Sequence, residues 1–210
     1  MKTLSVCFLF SFFLFACGGK TETKTPDQPV KPFDSLAVIK APVADNPYVT
    51  MDISPMDMSY FPVNYMKTKM ASLTMDPPLA RVIYSRPHLQ GRHIFHEVLK
   101  YGQPWRLGAN EATELQLFSD ATIQGKKVKA GRYILYCIPQ ENEWTLVLNG
   151  YIDSWGLKQE PSKDIARFTI PIPKTNTSLE YFTMVFLGKD KQAELLMAWD
   201  NVEAKLPISF

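Results

Sequence analysis

The chain has 210 residues, 46% of them hydrophobic, and a formal charge of +2. Its 23 basic residues nearly balance 21 acidic ones. That leaves no basic excess for binding nucleic acid through counterion release, and no long acidic tract reads as a cation-binding tail.

Met1-Lys2-Thr3 is a short n-region with one positive charge, followed by an apolar-to-small run of 13 residues, Leu4 to Ala16. A membrane-crossing helix needs roughly 20 apolar residues, whereas the h-region of a secretory signal takes about 7–15. The run ends in Leu14-Phe15-Ala16-Cys17-Gly18-Gly19, which resembles the lipobox of bacterial lipoproteins. The resemblance implies cleavage before Cys17, a diacylglyceryl group on the Cys17 sulfur and an acyl chain such as palmitate on the new amine. Two or more chains anchor stably, where a single one holds only marginally. Gly18, in place of Asp, implies by the same resemblance passage to the outer membrane over retention at the inner one. The expected location is therefore the cell envelope, with the membrane as a partner through the lipid. A plain signal peptide, or an ordinary buried helix, with Cys17 incidental, is the alternative.

Loss of the signal peptide, residues 1–16, removes a single charge, Lys2, so the formal charge falls by one from +2. Cys7 leaves with the signal and Cys17 carries the lipid. Cys137 alone remains, which rules out an intramolecular disulfide and a zinc site of several cysteines. Cys137 lies in the apolar run Tyr133-Ile134-Leu135-Tyr136-Cys137-Ile138, so it reads as a small core residue.

Residues 17–47 read as a lipidated tether. Gly18 to Thr25 is small and polar, and Pro26, Pro29, Pro32, Pro42 and Pro47 follow; such a composition disfavours a packed core. The folded domain is expected over 48–210. Its first part, 48–78, crowds Met51, Met56, Met58, Met66, Met70 and Met75 among four prolines. Thioethers suit copper, but neither His nor Cys lies in this stretch. It reads instead as adaptable filler over the core.

Strand-like patterns begin at Leu79–Ser85 and recur at Thr113–Phe118 and Ala121–Ile123. Gln124-Gly125-Lys126 marks a turn before Val128. Further strands are read at 132–138, Trp144–Leu148, Arg167–Ile172, Tyr181–Leu187, Ala193–Trp199 and Val202–Ile208. Only Ile94 to Lys100 reads as a short helix. Strands at short, regular spacing with turn residues between them predict an all-β protein. The expected fold is a single antiparallel β-sandwich or jelly-roll-like domain with one short helix, preceded by a signal peptide and a flexible tether.

Polar information is densest between Ser85 and Thr113. It contains Ser85-Arg86-Pro87, Gly91-Arg92 and the block Trp105-Arg106-Leu107-Gly108-Ala109-Asn110-Glu111-Ala112-Thr113. With Lys129-Ala130-Gly131-x-Tyr133, Glu143-Trp144-Thr145 and Trp155-Gly156, these residues resemble the bacterial domain of unknown function family 2911 over roughly 79–210. The resemblance implies identity with that family and no particular activity. Leu107 departs from the pattern, where a smaller polar residue is expected, and His88, His93 and His96 lie outside it.

Physically, Arg86, Arg92 and Arg106 are three bidentate donors. Pro87 biases Arg86 toward extended backbone, Asn110 can cap or turn the chain, and Trp105 offers a broad face for stacking. The same residues also suit a buried ion-pair network in which Glu111 and Glu114 pair with the arginines. Trp144 and Trp199 read as core residues. Trp155, in a loop-like setting, is a second candidate stacking surface. A metal site on His93, His96 and Glu97 is conceivable but lies outside the family pattern, and no metal or cofactor is expected. Paired carboxylates for glycoside hydrolysis need about 5–10 Å between them; Glu111 with Asp153, or Glu114 with Glu141, are the nominal pairs. No phosphate loop, nucleophile elbow or Cys-x-x-Cys is present.

The candidate ligand-binding residues are thus Arg86, Arg92, Trp105, Arg106, Asn110, Glu111 and Trp155, with Cys17 for lipidation. The sequence favours a non-catalytic binding or structural module of the envelope, with a small molecule, glycan or protein as ligand. The alternative is a carbohydrate-active hydrolase or lyase using Glu111.

Overall fold

The computed structural model describes residues 52–72 and 76–210. Cys17, the tether and the termini of the methionine-rich stretch, Met51 and Met75, lie outside the described residues. Everything described belongs to one compact unit, Asn46–Phe210, and none of its helices is long and apolar enough to cross a membrane.

The strands form two antiparallel sheets. The first carries β1 (Met56–Phe61), β2 (Ala80–Ser85), β3 (Glu114–Leu117), β6 (Gly131–Pro139), β7 (Glu143–Asn149) and β8 (Asp164–Pro171) in that spatial order. The second has the order β5 (Lys126–Val128), β4 (Ala121–Ile123), β10 (Gln192–Ser209) and β9 (Lys174–Lys189). The chain thus winds through the larger sheet as a meander, leaving once to place the β4–β5 hairpin in the smaller one. Gln124 and Gly125, the two central residues of that hairpin, both have positive φ, 46° and 73°. That conformation matches the twist of a two-residue hairpin.

The sandwich expected from the strand spacing is what forms. Alternation explains it: Val82, Tyr84, Leu115, Leu117, Leu146 and Phe168 of the large sheet face Phe182, Met184, Leu195, Met197 and Leu206 of the small one, all buried. Trp144 and Trp199 are core residues, as is Cys137, whose thiol burial pushes well above its ordinary pKa. Two stretches read as separate strands, Ala193–Trp199 and Val202–Ile208, are one strand, β10. The pairing register with β9 shifts on either side of Asp200, which has φ 51°. An irregularity of this kind adds twist without ending the strand.

The described part of the methionine-rich stretch carries a strand and a helix that its composition does not suggest. Met56–Phe61 pairs along the whole of β2 as an edge strand, and Tyr65–Ala71 is a short helix, α1. Edge position explains why the pattern is hard to read. One row of β1 faces solvent, and Met56 and Met58 are about half exposed. The predicted short helix at Ile94–Lys100 is a single π-helical turn, Ile94–Val98.

A polar cluster stitches the far strands. Asp164 on β8 accepts hydrogen bonds from Tyr136 (3.0 Å), Asn149 (2.8 Å) and Arg167 (2.7 Å). Burial, then the Asp164 carboxylate, pushes the Tyr136 hydroxyl up to about 12.

Candidate functional site

The long connection from β2 to β3, residues 86–113, closes one end of the sandwich. Its anchor is the block 105–113. The Trp105 backbone exchanges two hydrogen bonds with Cys137 of β6, at 2.7 and 2.8 Å, which continues the β3 position along that strand. The chain then folds back on itself. The Trp105 indole N–H donates to the Gly108 carbonyl (3.1 Å), and the Thr113 hydroxyl donates to the Leu107 carbonyl (2.6 Å). The Ala109 N–H donates to the buried Ser85 hydroxyl (2.7 Å).

Close packing explains the small residues. A Cβ on Gly108 would lie 2.7 Å from Ser85 Oγ. Leu107, the departure from the family pattern, is fully buried with φ 54°. Its side chain packs in the core, while its carbonyl serves Thr113. Ser85 and Thr113 are the residues whose structural roles the sequence does not announce. Both are buried hydroxyls, and each is satisfied by the loop.

Beneath this loop lies a cavity of about 480 Å³, within the roughly 300–1,000 Å³ of small-molecule sites. Val98, Leu99, Trp105, Leu157 and Trp199 give it apolar walls. Arg92, Lys100 and Arg106 give it positive charge, and His88 shares the wall.

The expected site residues divide. Arg92, Trp105 and Arg106 come together at this cavity. Trp105 is a correction: it is only 7% exposed, edge-on to Trp144 and Phe182 and stacked on Trp199, so it is a wall of the core and not an open platform. Arg92 sends two donors back to the carbonyls of Leu89 (2.8 Å) and His88 (3.0 Å), holding its own loop in shape.

The other candidates lie elsewhere. Arg86 pairs with Asp57 at 3.4 Å, with both side chains over a third exposed, and its guanidinium lies over the Tyr181 ring. Asn110 donates to Asp52 and to the Ser54 carbonyl, tying down the segment ahead of β1. Glu111 and the 57%-exposed Trp155 share a separate depression with Glu114 and Asp153. The buried network expected between the arginines and Glu111 does not form, since no ion pair joins Glu111 to Arg86 or Arg106 among the described residues. The pairing falls instead to Arg132, an unsuspected residue on β6. It donates to Glu114 (2.5 Å) and Asp153 (3.0 Å), and both contacts raise its pKa.

His88 and His93 have separate partners: the His88 ring stacks on Tyr181, while the His93 backbone N–H donates to Glu97. Among the described residues, no group of three His, Cys, Asp or Glu side chains is placed to hold a metal ion.

The fold and this end cavity define an all-β sandwich domain with a single long capping loop. The chain belongs to the protein family of unknown function DUF2911, which it matches over residues 67–208, more than half its length. The match begins within α1, ahead of the point near residue 79 where the sequence first shows the resemblance. No curated protein and no solved structure matches the chain.

Proposed function

We propose that the protein is a lipid-anchored, non-catalytic binding module of the bacterial cell envelope, with its ligand held in the cavity beneath loop 86–113. The observation that carries this reading is the cavity itself. It is large enough for a small molecule, walled by aromatic and aliphatic side chains, and edged by a few cationic groups. That combination is typical of ligand sites. The rigid backing of the loop, built from Ser85, Gly108 and Thr113, supports a pre-formed site over one assembled on binding.

Anchoring rests on the lipobox-like Leu14-Phe15-Ala16-Cys17 and the proline-rich tether of residues 17–47. Replacing Cys17 by Ser should move the protein from the membrane to the soluble fraction on cell fractionation. Persistent membrane association of that variant would overturn the anchoring.

Binding is tested by thermal shift of the full chain against a panel of envelope glycans, small anions and neutral aromatics. A ligand at 100 times its Kd stabilises by about 2.7 kcal/mol, a rise of several degrees in Tm. Ala109→Trp, which fills the cavity, should abolish the shift. A shift that survives Ala109→Trp would place the ligand elsewhere.

One observation favours the hydrolase or lyase alternative: Glu111 sits on an open depression with two further carboxylates, Glu114 and Asp153. Against it, both of those carboxylates are committed as acceptors to Arg132, and no aromatic platform but Trp155 borders the depression.

A further inference from the structure

We propose that the cavity selects small apolar anions, a carboxylate carried on a ring or short alkyl body; this rests on the cavity being the binding site. Its charge is one-sided. Arg92, Lys100 and Arg106 line it, and among the described residues its walls include no aspartate or glutamate. Four nearby acids lie outside that lining: Glu111, Glu114 and Asp153 on the Trp155 depression, and Glu180 against the Gln90 N–H and the His88 ring.

Arg106 is the group that would read the ligand's charge. It is half-buried, and burial pulls its guanidinium below the ordinary pKa, partly offset by the charge of Glu111. No salt bridge reaches it among the described residues, and its Nη1 is buried with no hydrogen-bond partner. Buried polar atoms are nearly always partnered, and an exception calls for an explanation. An unpartnered cationic donor at a cavity wall is explained if an acceptor oxygen from a ligand completes it. His88 lines the same cavity, and its Nε2 is also buried and unpartnered. Its Nδ1 lies 3.6 Å from the Glu180 carboxylate, which leaves Nε2 as the ring nitrogen open to a ligand.

The remainder of the cavity is apolar. Leu99, Trp105, Leu157 and Trp199 can cover a hydrocarbon or aromatic body but offer it few hydrogen bonds. A free inorganic anion would leave these walls unused, and a neutral apolar ligand would leave Arg106 unsatisfied. Lys100, exposed at the rim, adds attraction at a distance.

The test compares phenylacetate with its neutral isostere phenylacetamide, each titrated calorimetrically into the full chain. Phenylacetate should bind roughly tenfold tighter or more, the scale of a hydrogen bond to a charged group. Arg106→Met should erase that preference while leaving phenylacetamide binding in place. Equal affinity of the two probes for the unaltered protein would overturn the proposal and leave the cavity standing as a site for neutral ligands. So would a full preference retained in Arg106→Met. The comparison on the unaltered protein needs no variant to fold. Binding of neither probe, or binding indifferent to Ala109→Trp, would overturn both the ligand class and the cavity as the site.

Discussion

Trp105→Ala should cost about 3–5 kcal/mol of folding stability, the range for truncating a buried large aromatic. Trp105 contacts three other rings at centroid distances of 5.0–5.8 Å, those of Phe182, Trp144 and Trp199. Its indole N–H also satisfies the Gly108 carbonyl inside the loop. Truncation opens a void between the two sheets and leaves that carbonyl without its donor. Against a total stability of about 5–15 kcal/mol for an ordinary domain, the loss is a large share. Trp155→Ala is the contrast: its side chain is 57% exposed, and a change of at most about 0.5 kcal/mol is expected for such a position. Urea unfolding of both variants checks the pair. Equal effects would mean that Trp105 is not the keystone of the capping loop.

Gly156→Ala should be the second large effect, from a position with no side chain at all. Gly156 has φ 80°, and a Cβ there would lie 2.8 Å from the Ala112 Cβ, 3.0 Å from the Ala112 Cα and 3.0 Å from the Arg106 Cβ. Two penalties combine, left-handed backbone for an L-residue and overpacking against a braced neighbour, each about 1–3 kcal/mol. The consequence reaches function, because Gly156 is where the β7–β8 connection touches the block that carries Arg106. Gly156 and Leu157 also line the cavity. Displacing Arg106 there should weaken ligand binding as well as stability. Urea unfolding and probe titration of the same variant measure both. A variant as stable as the parent would show that the two loops can separate freely.

Much of the architecture was legible in the sequence because it depends on alternation. β2, β3, β4 and β8 bury alternate side chains, β6 and β7 bury consecutive ones along most of their length, and each appears in the sequence as an alternating or apolar run. β1 and α1 were not legible. The first is an edge strand with an exposed methionine row, and the second buries little besides Tyr65. β10 reads as two strands because Asp200 interrupts the hydrophobic pattern without breaking the strand.

The site was legible by composition and not by geometry. Spacing shows that arginines and a tryptophan gather in the 86–113 loop. It does not show the path of that loop, which depends on contacts distant in sequence: Ser85 with Ala109, Cys137 with Trp105 and Gly156 with Ala112. Those contacts turn Arg92 and Arg106 toward one cavity and send Arg86, Asn110 and Glu111 to other partners. Lys100, Leu157 and Trp199 join the site from stretches with no motif, and Arg132 takes Glu114, one of the two carboxylates that sequence reasoning gave to the loop arginines.

The central claim is that the cavity beneath loop 86–113 is the binding site. It is tested most directly by a crystal structure of the protein with saturating phenylacetate. The expected result is ligand density in that cavity, with the carboxylate at Arg106 and the ring among Leu99, Trp105 and Trp199. Ligand found at the Trp155 depression, or nowhere but on the outer surface, would contradict it.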